Sequence, residues 1–89
     1  MIKKSTKIVN KLGLHARPSA LLVSTASKFE SEVHFTKNGL RVNGKSIMGV
    51  MMLAAEQGSE IIVEADGVDE VETVDALIEV ISSGFSEMD

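Results

Sequence analysis

Residues 32–42, Glu32-Val33-His34-Phe35-Thr36-Lys37-Asn38-Gly39-Leu40-Arg41-Val42, alternate in polarity on both sides of an Asn-Gly pair. Val33 and Phe35 face one way and Glu32, His34 and Thr36 the other, the period-2 pattern of a half-buried strand. Asn38-Gly39 accepts the positive φ angles of a two-residue hairpin turn, and Leu40 and Val42 carry the alternation into a second strand. Upstream, Ser19 to Phe29 changes period: Leu22, Ala26 and Phe29 form a helical stripe. Before it, Ile2 to Val9 is extended and closes on the turn-like Asn10-Lys11-Leu12-Gly13. Downstream, Asn43-Gly44-Lys45-Ser46 breaks the second strand, and a short helix begins with Ser46 as N-cap and ends at Gln57-Gly58. Glu60 to Asp66 is a further strand with Ile61, Val63 and Ala65 on one face. Asp69, Glu70 and Glu72 then open a last helix, where negative charge suits the helix dipole. Val71, Val74, Ile78 and Ile81 form its stripe, and Ser82-Ser83-Gly84 stops it. The order is strand, helix, strand, strand, helix, strand, helix. One apolar face per strand and one stripe per helix fit a split-βαβ domain of the α+β class, spanning 1–89 with helices on one side of the sheet.

Composition narrows the function. Hydrophobic residues make up 44% of the 89, sufficient for one core and too many for a disordered segment. There is no Cys, which removes disulfide scaffolds, thiol nucleophiles and the common zinc patterns, and two separated His do not make a metal site. A net charge of −4 argues against nucleic acid as a partner. No apolar run has the length of a signal peptide or a membrane span, so a cytoplasmic location without membrane attachment is expected. Acidic residues crowd the chain after Ser59, whereas His15, Arg17, Arg41 and Lys45 lie in the first half.

The chemistry sits in Gly13-Leu14-His15-Ala16-Arg17-Pro18. His15 falls just before the first helix, whose leading N–H groups lack helical partners and whose dipole is positive there. An oxyanion at that end can take the N–H groups of Ala16 and Arg17, and the Arg17 guanidinium can add charge-assisted bonds. Pro18 fits the first turn, where its missing donor costs nothing. An imidazole with an open lone pair is a phosphoryl acceptor. Taken alone, His15 is better explained as a cap of the helix, with Arg17 a solvated charge.

Leu14-His15-Ala16-Arg17-Pro18 resembles the phosphorylation-site signature of HPr proteins of the phosphoenolpyruvate-dependent phosphotransferase system. Lys45-Ser46-Ile47-Met48-Gly49-Val50-Met51 resembles that family's regulatory-serine segment, and the likeness covers essentially the whole chain. The resemblance implies an open-faced β-sandwich, a four-stranded antiparallel sheet covered on one side by three helices. It implies that His15 takes phosphate from Enzyme I and passes it to IIA domains, with Arg17 assisting and no cofactor or metal. It also implies that Ser46 matches the serine modified by HPr kinase/phosphorylase. The protein would then be a carrier acting through protein partners, as a monomer, and not an enzyme in its own right. Asn10-Lys11-Leu12-Gly13 and Ile81-Ser82-Ser83-Gly84-Phe85 look closer to the nitrogen-related HPr paralogue, and the serine block closer to the carbohydrate HPr. A nitrogen-branch regulator and a non-catalytic split-βαβ binding module remain the alternatives.

Ile47, Met48, Met51 and Met52 are more apolar surface than so short a helix can bury, and with Ala20 they form the expected docking patch. Ser19, where many family members have Ala, can add a hydrogen bond near the site. Ala54, where Gly is frequent, is expected to favour the helix. His34 reads as a solvated strand residue, Arg41 and Lys45 as surface charges, and the acidic run Asp66, Asp69, Glu70, Glu72 as helix-start chemistry.

Overall fold

A computed structural model describes residues 1–86. In chain order the elements are β1 (Ile2–Lys7), α1 (Ala16–Ser27), β2 (Glu32–Lys37), β3 (Leu40–Asn43), α2 (Ile47–Met52), β4 (Glu60–Asp66) and α3 (Glu70–Ser82), followed by a 3₁₀ turn at Gly84–Ser86. The sheet order is β1-β4-β2-β3, with every neighbouring pair antiparallel. Strands β1 and β2 therefore run parallel with β4 between them, and β3 and β4 run parallel with β2 between them. These are two interleaved split-βαβ units. Asn38 and Gly39 take φ of 49° and 83°, so the hairpin turn closes with Lys37 opposite Leu40 as the sequence implies.

One sheet face carries the core: Val33, Phe35, Val42, Ile61, Val63 and Ala65 are buried there beside Leu22, Ala26, Val50, Val74, Leu77 and Ile81 from the helices. α3 packs on β1 and β4, α2 meets β3, and α1 lies against both α2 and α3. The other face presents the alternate residues, among them Lys3, Glu60, Glu32, His34 and Arg41.

Four expectations change. α1 begins at Ala16, directly after His15 as expected, but ends at Ser27, so Phe29 lies beyond it, half-buried. The stripe of α3 is Thr73, Val74, Leu77 and Ile81, while Val71 is 52% exposed. Thr73 can serve as an apolar position because its hydroxyl donates to the Asp69 carbonyl at 2.7 Å, leaving no unmet polar group. α2 ends at Met52 and not at Gln57-Gly58. Tertiary partners take over the backbone beyond it: Lys37 Nζ donates to the carbonyls of Leu53 and Ala54, and the N–H of Gly58 donates to the Ile8 carbonyl. Ala54, expected to favour the helix, instead follows its C-cap at φ 47°, in the left-handed region.

The residues set aside as surface charges also have structural work. Arg41 lays its guanidinium on Glu64, with Nε–Oε1 at 3.2 Å and Nη2–Oε2 at 2.7 Å. Lys45 Nζ donates to the Phe29 carbonyl at 2.7 Å, just past the end of α1. Asp69, beyond starting α3, accepts from the N–H groups of Glu30 and Ser31 and from the Ser31 hydroxyl, tying that helix to the α1–β2 loop.

Candidate functional site

The segment leading to His15 is held from both sides. Asn10 is buried and donates from Nδ2 to the Gly13 carbonyl at 2.8 Å, while the Gly13 N–H returns to the Asn10 carbonyl at 3.2 Å. Gly13 has φ +67°, and a Cβ there would stand 2.3 Å from the Ala55 carbonyl oxygen. Only glycine allows this approach, and it lets the Leu14 N–H donate to that same carbonyl at 2.9 Å. Ser19 is fully buried, and its hydroxyl donates to the Leu14 carbonyl at 3.1 Å, the added bond expected from the sequence. The backbone one residue before His15 is thus fixed at both its N–H and its carbonyl.

His15 is the N-cap of α1, with extended φ −76° and ψ −172°, and its side chain makes no capping bond. Its carbonyl accepts the first helical bond, from Ser19 N–H at 3.0 Å. Ala16, Arg17 and Pro18 therefore occupy the first turn, where backbone donors lack carbonyls within the helix. Ala16 and Arg17 are exposed and Pro18 is buried, its missing N–H costing nothing at this position. Half-buried His15 stands at the positive end of a 12-residue helix, two residues before the exposed Arg17. That arrangement can receive and stabilise an anionic group carried by the ring.

Ser46 is the N-cap of α2, and its hydroxyl oxygen accepts from Gly49 N–H at 3.1 Å. Of the six residues of α2 only Val50 is buried, and Ile47, Met48, Met51 and Met52 are all exposed. α2 lies against α1, which also exposes Ala20 and Leu21. Leu21, and Leu12 in the loop before His15, are exposed apolar residues that the sequence reading passed over. Leu21 sits next to Leu22 in an apolar run whose faces periodicity alone does not divide. A shallow recess of about 140 Å³, lined by Glu32, Val33, His34, Asn43 and Lys45, does not include His15. Among the described residues no cluster of acidic and imidazole groups could hold a metal ion, and no helix is long and apolar enough to cross a membrane.

A family model described as the PTS HPr component phosphorylation site matches residues 2–83. The phosphocarrier protein HPr of Neisseria meningitidis serogroup A is 58% identical over 87 residues, covering 98% of each chain. Among solved structures, HPr-C-His from Thermoanaerobacter tengcongensis superposes with a TM-score of 0.96 at 47% identity over the full length of both chains. An HPr dimer from the same organism matches at 0.79 and 48% identity, covering 98% of this chain and 100% of the other.

Proposed function

The chain belongs to the PTS-HPr family of phosphocarriers, and from that premise we propose that His15 accepts a phosphoryl group from Enzyme I and delivers it to IIA domains. The observation that carries this reading is the placement of His15 at the N-cap of α1 with Ala16 and Arg17 in the first turn. A lone pair of the imidazole attacks phosphorus in line with the departing donor atom, so one bond to phosphorus forms as the other breaks. Charge spreads over the three equatorial oxygens, where the N–H groups of Ala16 and Arg17 and the Arg17 guanidinium meet it. Delivery reverses these steps on the next protein. The protein acts as a cytoplasmic carrier that neither binds phosphoenolpyruvate nor acts on sugar itself, and one copy supplies every group named.

Ala20, Ile47, Met48, Met51 and Met52 form the surface that successive partners share, and adaptable Met side chains suit that role. Ser46, at the start of α2, is the regulatory position, modified by an HPr kinase/phosphorylase. A phosphate there adds nearly two negative charges at the edge of the docking patch. The carbohydrate branch is the primary reading, because the serine block looks closer to the carbohydrate HPr, with the nitrogen branch as the alternative. Incubation with Enzyme I and phosphoenolpyruvate should add one acid-labile phosphoryl group to the wild type and none to His15→Ala. An unlabelled wild type would defeat the proposal.

A further inference from the structure

We propose, resting on the carrier reading above, that the methionines of α2 make phosphoryl transfer sensitive to oxidants. Met48 and Met52 are the sites of a reversible oxidation that switches the docking face off. The chain contains no Cys, Trp or Tyr, so its five Met thioethers are its soft targets for a two-electron oxidant. Three of the five lie within the six residues of α2. Met48 is 75% exposed, Met52 67% and Met51 44%, so the sulfur-bearing chains of one short helix meet solvent together. Met1, 61% exposed, lies elsewhere: its ammonium pairs with Asp66 and Glu70, where β4 leads into α3.

The step is balanced with a hydroperoxide as oxidant. A sulfur lone pair attacks the distal peroxide oxygen, the S–O bond forms as the O–O bond breaks, and the oxidant leaves as water or an alcohol. Sulfur is oxidised by two electrons to the sulfoxide. Return requires a thiol reductant and releases the oxygen as water.

The setting makes this a switch and not mere damage. A sulfoxide in a core would break packing, but α2 buries only Val50, and the exposed thioethers contribute little to the fold. Under a docked partner the same sulfoxide is a strong dipole carried into an apolar interface, which costs free energy unless a donor meets it. Oxidation therefore weakens association while leaving the domain folded.

The test oxidises the purified chain with limiting hydrogen peroxide and maps sulfoxides by peptide mass spectrometry. His15 phosphorylation by Enzyme I and phosphoenolpyruvate is then timed at sub-saturating carrier. Sulfoxide is expected at Met48 and Met52 ahead of Met51. The rate should fall about tenfold, with the melting temperature lowered by no more than about 3 °C. Methionine sulfoxide reductases of both stereospecificities with dithiothreitol should restore it. A Met48→Leu/Met52→Leu variant, compared with its own untreated rate, should lose far less on the same treatment. An unchanged rate after oxidation of both residues, or an equal loss in the double variant, would overturn the inference and leave the carrier reading intact. An untreated chain that takes no phosphoryl label would instead overturn the carrier reading and this inference with it.

Discussion

At φ +47°, Ala54 presses its Cβ toward the following carbonyl, a conformation that costs an L-residue roughly 1–2 kcal/mol and glycine almost nothing. Ala54→Gly should therefore stabilise the protein by about 1 kcal/mol, seen as a higher urea midpoint and a melting temperature raised by roughly 4–8 °C. A lower midpoint would mean that the backbone beyond α2 is not left-handed in solution. Gly13 is the opposite case. Its φ of +67° and the Ala55 carbonyl 2.3 Å from any added Cβ leave no room, and the Leu14 bond to that carbonyl must then stretch. Gly13→Ala is expected to cost roughly 2–3 kcal/mol and to speed amide exchange at Leu14. Asp69 makes a pH-dependent contribution. The Ser31 hydroxyl foremost, then the Glu30 and Ser31 N–H groups and the Thr73 hydroxyl, favour its charged form, against some burial, and hold its carboxyl at about 2. A carboxyl with a folded value below its ordinary 3.8 stabilises the fold above that value and loses the effect as pH falls toward 2. Asp69→Asn should lower the urea midpoint at neutral pH, and the gap from wild type should close between about pH 4 and pH 2. A gap that persists unchanged at pH 2 would show that the carboxylate charge is not what holds α3 to the α1–β2 loop.

Among the elements, the sheet was legible because the apolar residues of β2, β3 and β4 alternate: Val33, Phe35 and Val42, then Ile61, Val63 and Ala65, are buried on one face, Glu64 being the one buried residue of those strands on the other. The Asn38-Gly39 turn fixed the hairpin register for the same local reason. Where periodicity had to choose a helix end, it failed. No glycine or proline at Met52 announces the end of α2; the chain turns left-handed at Ala54, and the segment beyond is held by Lys37, fifteen residues before Met52, and by the bonds of Ala55 and Gly58 to Leu14 and Ile8. The placement of His15, Arg17 and Pro18 was readable because a helix start is a local event, whereas the bracing by Ala55 and Asn10 was not. Arg41 and Glu64 show the same limit: their strands are separated by β2, and only the sheet order places them diagonally across its open face. Glu64 is 5% exposed at its side chain and Arg41 52%, and the guanidinium, first through its hydrogen bonds, holds the Glu64 carboxyl below the ordinary glutamate range. Arg41→Met strands that carboxylate and should cost roughly 1–3 kcal/mol, less than a fully buried pair because the arginine is half in water. Adding Glu64→Val should return stability to within about 1 kcal/mol of wild type. A double-mutant cycle in urea measures the coupling, and additive losses would mean that the pair is only a surface contact.

At the scale of the whole molecule, a carrier of net charge −4 must meet its partners through one locally favourable face. The groups proposed for that face, Arg17 in the first turn of α1 and the exposed residues of α2, lie on two helices packed on each other, with Ser46 at the head of the second. Ser46→Asp keeps an oxygen acceptor for the Gly49 N–H, and Asp is as good an N-cap as Ser, so the fold should be held. Ser46→Ala, by contrast, should lose about 1 kcal/mol with little effect on transfer. If regulation at Ser46 acts through charge, Ser46→Asp slows phosphorylation of His15 by repelling an acidic partner surface, and that repulsion must be screened by salt. The Debye length is about 10 Å at 0.1 M salt and about 3 Å at 1 M, so the charge is felt across the interface only at the lower concentration. The ratio of wild-type to Ser46→Asp rates should therefore be largest at about 0.05 M salt and shrink toward one as salt approaches 1 M. Following the acid-labile label at several salt concentrations measures it. A ratio that holds constant across the series would instead assign control to shape at the head of α2, where a side chain larger than serine obstructs the partner whatever its charge.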